Sequence, residues 1–388
     1  MIKNKLLKEL ELYIHIPFCV KKCAYCDFLS SPQDGKTIQS YVDAMVKEIH
    51  AHKDKKVEYK VSTIFMGGGT PSILKEKQIQ QIFETLNDVF HIANNAEITI
   101  EANPGSVTKE KLEVYRECGI NRISFGLQST NNEELKLLGR IHTYEEFLES
   151  FSLARMCGFD NINVDLISAI PKQTLASWET TLQNVIHLEP EHISAYSLIV
   201  EERTPFANMY GEGCPKENDL PGEDEERAIY YRTEELLQEA GYHRYEISNY
   251  AKEGKECRHN LGYWERKDYL GIGLGASSLI NNVRYKNIDD LSVYMKQSNN
   301  LEAIQENIEI LSTKEQMEEF MFLGLRKMEG ISEEEFENSF GTSIESVYNV
   351  QIDKLLQEKL LERKSGRLRL SRRGIDVSNY VFAEFING

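Results

Sequence analysis

Apolar segments rich in β-branched residues alternate with amphipathic segments of helical period through most of the chain. The predicted strands are Leu12–Ile16, Thr63–Met66, Glu97–Glu101, Arg122–Gly126, Asn161–Ile167 and His192–Leu198. The predicted helices are Ile38–His50, Lys77–Phe90, Lys109–Cys118, Tyr144–Cys157, Leu175–Leu188 and Glu225–Ala240. This alternation predicts a parallel sheet with right-handed helical crossovers, which curls toward a barrel. With six such units instead of eight, we expect an open α/β fold, a partial (β/α)6 TIM-like barrel with its site at the C-terminal ends of the strands.

The pattern changes after about residue 285, which predicts a second, smaller domain. We assign residues 1–285 to the barrel, 286–310 to a charged linker and 311–388 to a C-terminal domain. The predicted elements of this last domain are Thr313–Arg326, Ser332–Phe340, Ile344–Lys359 and a hairpin over Leu360–Leu370. Helices followed by a small hairpin are typical of a winged-helix-like domain. The acidic sequence around it favours a structural or partner-binding role over DNA binding.

Charge and hydropathy exclude several classes of protein. The formal net charge is −17 over 388 residues, and so acidic a chain repels a nucleic-acid backbone. No apolar run approaches the roughly 18–20 residues that span a bilayer. The N-terminus lacks the features of a signal peptide and is interpreted as a short lead-in to the first strand. We therefore expect a cytoplasmic protein, in which seven cysteines do not form a disulfide framework.

Three of the cysteines form a C-x3-C-x2-C array directly after the first predicted strand: Cys19, Cys23 and Cys26. A [4Fe–4S] cluster normally takes four thiolates, so three cysteines on one loop leave one iron open to a small molecule with an amine and a carboxylate. The alternative is a structural zinc site, which requires four ligands, usually in two separated pairs. No second pair follows here, so the array predicts an iron–sulfur cluster.

Further motifs accompany the array: YIHIPFC at 13–19, FMGGGTPS at 65–72, EANP at 101–104, RISFGLQS at 122–129, LGRIH at 138–142 and NVDLISAIP at 163–171. The cysteine array resembles that of the radical S-adenosylmethionine (SAM) superfamily. The whole set of motifs resembles one branch, the oxygen-independent coproporphyrinogen III oxidases and their relatives, over nearly the full chain. The resemblance implies a [4Fe–4S] cluster and SAM as cofactors.

Tyr13 and Glu101 match positions that contact SAM in this branch, and eight residues in all are predicted to bind it: Tyr13, Gly68, Gly69, Thr70, Glu101, Gln128, Arg140 and Asp165. Most follow predicted strand ends, where a barrel places its site. Glycines allow close approach of a backbone to a ligand, and a carboxylate such as Glu101 within an apolar strand needs a partner. Structural alternatives stay open at this point. Tyr13 is also explained as an inward-facing barrel residue, Arg140 as a helix surface residue and Asp165 as a strand-end acid.

Within the branch, three features resemble the heme chaperones of the HemW type more than the oxidases. Phe28 stands where the oxidases have a further cysteine, and only a short segment precedes the first strand. The sequence RHNLGYW at 258–264 resembles a hallmark of the chaperones, and the resemblance implies that His259 is an axial heme ligand. Cys257 is an alternative ligand, and a turn-capping role for His259 also stays open.

The resemblance therefore implies heme as a further cofactor and respiratory heme proteins as acceptors. It leaves open docking at the inner membrane face, a homodimer and SAM cleavage. No residue is assigned a catalytic role. The alternative function is SAM-dependent radical decarboxylation of coproporphyrinogen III in porphyrin biosynthesis.

Overall fold

The computed structural model describes residues 7–386, so the first residues of the predicted N-terminal lead-in lie outside the described part. Within these described residues the large sheet has twelve strands: β1 Lys8–Ile16, β2 Tyr59–Gly68, β3 Ile92–Ala102, β4 Arg122–Gln128, β5 Ile162–Ser168, β6 His192–Ser197, β7 His243–Arg244, β8 Asn249–Ala251, β9 Tyr269–Ile272, β10 Ser277–Ile280, β11 Val283–Asn287 and β12 Gln305–Ile310. The helices packed around it are α1 Gly35–Ala51, α2 Glu76–Val89, α3 Lys109–Glu117, α4 Asn132–Leu138, α5 Tyr144–Met156, α6 Leu175–Ile186, α7 Ala207–Tyr210, α8 Glu223–Glu239, α9 Arg258–Trp264, α10 Leu291–Gln297 and α11 Leu301–Ile304.

The six predicted strands are β1 to β6, which pair in sequence order and in parallel. Their central residues are buried on both faces, as expected for a parallel sheet covered by helices. Local chemistry sets the start of the crossover helices. Thr143 and Glu146, for example, form a capping box at the start of α5. The predicted α/β partial barrel is confirmed.

The sheet continues beyond the predicted strands on both sides. β9 lies parallel to β1, and β10, β11 and β12 follow as antiparallel strands, whereas β8 and β7 extend the sheet beyond β6. The segment 286–310 is therefore not a simple linker. It forms α10, α11 and the edge strand β12, which pairs with β11. The segment was predicted to be a linker because it is charged, but an edge strand that faces solvent is also rich in charged residues.

The C-terminal domain has its own core, which includes Phe336, Leu355 and Phe385. Its elements are α12 Thr313–Gly324, β13 Ile331–Ser332, α13 Glu333–Phe340, α14 Ile344–Gln357, β14 Leu361–Lys364, β15 Arg367–Leu370, α15 Arg372–Asp376 and α16 Ser378–Ile386. Three helices and the predicted hairpin are present, with β13 added to the hairpin and two further helices at the end. No helix within residues 7–386 has the length and apolarity that crossing a membrane requires.

Candidate functional site

The cysteine loop follows β1 and lies against the ends of the neighbouring strands. Cys19, Cys23 and Cys26 are each partly exposed and free of disulfides. The backbone N–H of Cys26 donates to the carbonyl of Cys23, which keeps the two thiols on one turn. Burial raises the pKa of the Cys26 thiol, and the neighbouring Cys23 and Cys19 add to this rise. A positively charged metal cluster would reverse that effect, because thiols lose their proton on binding metal.

Within residues 7–386, no group of three or more His, Cys, Asp or Glu side chains is placed to hold a single metal ion. A [4Fe–4S] cluster does not need such a point of convergence, because each cysteine binds a different iron. The three thiols on one loop, with hydrogen-bond donors beside two of them, therefore fit a cluster. Thr70 Oγ1 lies 3.4 Å from Cys19 Sγ, and Arg140 Nη1 lies 3.5 Å from Cys23 Sγ.

The glycine segment after β2 is tied to the cysteine loop by its backbone. Gly69 N–H donates to the carbonyl of Ile16, and Thr70 N–H donates to the carbonyl of Phe18. A Cβ at Gly69 would lie 2.6 Å from the Phe18 carbonyl oxygen, so only glycine fits. Gly68 has a φ of 108°, a conformation that favours glycine. These contacts fix the cysteine loop on the edge of the barrel.

Arg140 is the second anchor of the loop. It follows α4, whose C-cap Gly139 has a φ of 77° and turns the chain back toward the sheet. Its guanidinium donates to the Gly126 carbonyl at 2.6 Å and to Asn103 Oδ1 at 2.8 Å, in addition to its contact with Cys23. Asn103 in turn donates to Thr70 Oγ1 at 3.0 Å. The side chain of Arg140 therefore packs against the cysteine loop in this structure and does not lie on a helix surface.

A polar cavity of ≈ 250 Å³ lies inside the barrel at the C-terminal ends of the strands, next to the cysteine loop. Four of the predicted SAM residues line it: Tyr13, Gly68, Glu101 and Asp165. The carboxylate of Glu101 accepts from Gly68 N–H at 3.1 Å. Asp165 accepts from Ser124 Oγ and from Asn163 Nδ2, both at 2.8 Å. Two carboxyl groups in one cavity favour a ligand with an amine or sulfonium charge.

Burial raises the pKa of Glu101 to about 8, and nearby Asp165 adds to the rise. Arg122 provides the opposite charge in the same cavity, although its side chain is 2% exposed and its Nε has no partner among the described residues. The cavity therefore offers separate positions for the amine and the carboxylate of an amino acid. Its residues fit the methionine end of SAM.

Gln128 and Gly126 lie beside Arg140. Neither of them lines the cavity. A bulge follows Gly126 in its pairing with β5, and Gln128 takes a left-handed φ of 75°. Three residues of the site, Asn103, Arg122 and Asn163, were not predicted. Asn103 lies in the EANP motif and Arg122 begins an otherwise apolar strand, so both had a signal in the sequence. Asn163 had none, because its role depends on its neighbour in the folded sheet.

His259 lies apart from this cavity, at the start of α9. Its ring is 1% exposed and stacks on Phe65 at 5.3 Å. Both ring nitrogens are occupied, since Nδ1 lies 2.7 Å from Thr63 Oγ1 and Nε2 lies 3.0 Å from Tyr263 OH. In this geometry His259 could bind heme iron only after one of these hydrogen bonds breaks, because a metal ligand needs a free nitrogen lone pair. The backbone N–H groups of Arg258 and His259 donate to the carboxylate of Glu97, so Glu97 and not the His259 side chain caps the start of α9.

The alternative heme ligand Cys257 is fully buried, and burial raises the pKa of its thiol to about 12. It is therefore a neutral core residue here. The carboxyl group of Glu11 is equally buried, 3.9 Å from His259 Nδ1. This distance alone would suggest an ion pair. However, burial raises the pKa of Glu11 to about 9 and lowers that of His259 to about 3, so both groups are neutral near pH 7.

Comparison with known proteins agrees with this geometry. Residues 13–185 match the Radical SAM superfamily and residues 311–377 match the HemN C-terminal domain. A protein of Lactococcus lactis named "Heme chaperone HemW" is 37% identical over 98% of each chain. The Bacillus subtilis protein of the same name is 35% identical over 96% of this chain and 98% of its own.

The chain belongs to the HemW family. As a radical SAM protein it uses a [4Fe–4S] cluster and SAM as cofactors. A solved structure of coproporphyrinogen III oxidase (HemN) from Escherichia coli, described as a radical SAM enzyme, is also similar. Its TM-score is 0.84 at 25% identity, over 98% of this chain and 90% of that chain. The structural similarity therefore covers both domains of this HemW family member.

Proposed function

We propose that this protein is a heme chaperone that carries a [4Fe–4S] cluster and SAM, binds heme and delivers it to acceptor proteins. The observation that carries the proposal is the end-to-end similarity to proteins named "Heme chaperone HemW", which covers both domains. Phe28 supports it, since this residue is 69% exposed at the cavity mouth where the oxidases have a cysteine.

In this proposal Cys19, Cys23 and Cys26 hold the cluster. The SAM pocket comprises the predicted residues Tyr13, Gly68, Gly69, Thr70, Glu101, Gln128, Arg140 and Asp165. When bound, the cluster and SAM supply one-electron chemistry to the site. The protein's own groups position these cofactors. Glu101, protonated near neutral pH, would release its proton on receiving the amine of SAM, because an adjacent positive charge favours the carboxylate.

Heme binding is tested by titrating hemin into the reconstituted protein and following the Soret band. Transfer is tested by adding apomyoglobin to the heme-loaded protein and following the loss of the Soret band from the chaperone. We expect stoichiometric binding followed by transfer. A protein that retains no hemin on a desalting column, or that never releases it, contradicts the proposal.

The geometry of His259 makes a second test informative. His259→Gln keeps a hydrogen-bonding side chain of similar size in the buried position. We expect the Soret maximum to keep its position, because the His259 nitrogens are occupied by Thr63 and Tyr263. A displaced maximum and a changed ferric electron paramagnetic resonance spectrum would instead restore His259 as the iron ligand.

The acceptor and the place of delivery belong to the same proposal. We propose a respiratory heme protein as acceptor, reached by transient docking at the membrane. We also propose a division into a barrel domain that extends through β12 to residue 310 and a C-terminal domain over 311–388. Sedimentation with vesicles and size-exclusion chromatography with and without cofactors test docking and dimer formation. A protein that remains monomeric and unbound to vesicles in every cofactor state contradicts both.

A second candidate is coproporphyrinogen III oxidase. The similarity to the HemN structure and the carboxyl-lined cavity beside the cysteine loop favour it. The test is incubation of the reduced, reconstituted protein with SAM and coproporphyrinogen III. Appearance of protoporphyrinogen would overturn the chaperone proposal, whereas unchanged substrate alongside hemin binding would exclude the oxidase.

A further inference from the structure

A second cleft, of ≈ 530 Å³, lies between the barrel and the C-terminal domain. Its walls come from α9, from the strands β9 to β11 and from α12, and Leu29 of the cysteine loop closes one side. Tyr13 lines both this cleft and the SAM cavity, so the two spaces share one side chain as a wall. The volume is within the range of about 300–1,000 Å³ typical of small-molecule sites.

The lining of the cleft is mainly aromatic and aliphatic. Tyr263 and Tyr269 meet edge to face at 4.8 Å, and Phe322 and Leu323 of α12 belong to another wall. Flat rings and branched side chains of this kind suit a large, flat, apolar ligand. The OH of Tyr263 also bonds to His259 Nε2, which places His259 one side chain behind the cleft wall.

One part of the cleft carries positive charge in an otherwise acidic protein. Arg266 and Arg284 both pair with the single carboxylate of Glu319, with Arg266 Nε at 2.8 Å and Arg284 Nη2 at 2.5 Å. Among the residues that line the cleft, two guanidinium groups against one carboxylate leave one net positive charge. Arg284 is 38% exposed, so a ligand can reach it. Guanidinium groups bind carboxylates in preference to most other groups.

Trp264 also belongs to the wall of the cleft, and Arg326 stacks on its ring at 4.4 Å. Its indole Nε1–H is buried and has no hydrogen-bond partner among the described residues, which is costly for a polar group.

We infer that this cleft, between the barrel and α12, binds the tetrapyrrole. The ring packs between the aromatic residues of α9 and the apolar residues of α12, and its propionate carboxylates pair with Arg284 and Arg266. Glu319 occupies these arginines in the free protein and therefore competes with the ligand. The inference rests on the proposed function and names the site at which heme is held.

Opposite effects of two substitutions test it. Arg284→Ala removes one carboxylate partner, and we expect the dissociation constant of hemin to rise about tenfold, as for loss of a charge-assisted hydrogen bond. Glu319→Gln frees both arginines, and we expect tighter binding. Arg232→Ala is the matched control, because Arg232 on α8 is also paired and 33% exposed but lies outside the cleft. We expect it to bind hemin like the wild type.

Two further arms identify what the cleft recognises. Metal-free protoporphyrin should bind and its dimethyl ester should bind about tenfold more weakly, because the ester lacks the carboxylates. Ser277→Trp, at an exposed position in the lining, should block binding while the melting temperature stays near that of the wild type. Absence of hemin binding by the wild type overturns the proposed function together with the inference. Wild-type hemin binding that is equal in the Arg284, Glu319 and Ser277 variants overturns only the inference.

Discussion

Glu11 provides a prediction that can be calculated from the structure. This carboxyl group is 1% exposed on β1, and its Oε2 has no hydrogen-bond partner among the described residues. Burial raises its pKa from 4.5 to about 9, a rise that Lys267 only partly offsets. The substitution Glu11→Gln replaces the protonated acid with a neutral group of the same shape. We expect its effect on stability to depend on pH.

The magnitude follows from proton linkage. Below pH 4.5 the folded and unfolded states both hold the proton, so the group does not change the free energy of unfolding. Between 4.5 and about 9 the unfolded state loses the proton and the folded state keeps it. The wild type therefore loses about 1.4 kcal/mol of stability per pH unit relative to the variant. At pH 7 this amounts to about 3 kcal/mol.

The assay is urea unfolding of both proteins at several pH values between 5 and 8, at constant ionic strength. The slope of the difference against pH is the readout, since any change in packing by glutamine adds a constant. Glu9→Gln is the matched control, because Glu9 lies on the same strand and is 61% exposed. A flat difference for Glu11→Gln would show that Glu11 is ionised in the folded protein, and the reasoning from burial would fail.

Three further predictions concern the cluster and SAM. Cys23→Ser should abolish the brown absorption after anaerobic reconstitution, whereas Cys118→Ser should keep it; retention in the first variant would remove Cys23 from the site. Gly69→Ala should destabilise the protein by about 2 kcal/mol because its Cβ would collide with the cysteine loop. Gly222→Ala, where a Cβ meets nothing within 4 Å, should change the melting temperature little, and equal melting temperatures would contradict the contact. Glu101→Gln should weaken SAM binding about tenfold by calorimetry, as it removes a carboxylate beside the glycine segment, and unchanged affinity would exclude that contact.

Elements with a clear local sequence pattern could be predicted, whereas elements defined by pairing with distant strands could not. The periodicity of apolar residues predicted β1 to β6 and their crossover helices, since each of these elements has a continuous apolar pattern. It missed β9 to β12, which are short, partly polar and defined by pairing with strands distant in sequence. For the same reason the charged segment 286–310 was interpreted as a linker, although its last residues form an edge strand.

The cofactor class can be predicted from the sequence, because the spacing of Cys19, Cys23 and Cys26 is a property of one loop. Which other residues meet that loop depends on long-range contacts in the folded chain. Thr70 and Asn103 reach it from the ends of β2 and β3, because parallel strands end at the same edge of the sheet, and Arg140 reaches it from the end of α4. The tertiary structure also decided the environment of His259. Its identity suggested a metal ligand, but its ring nitrogens lie beside Thr63, 196 positions earlier in the chain, and Tyr263, four positions later on the same helix.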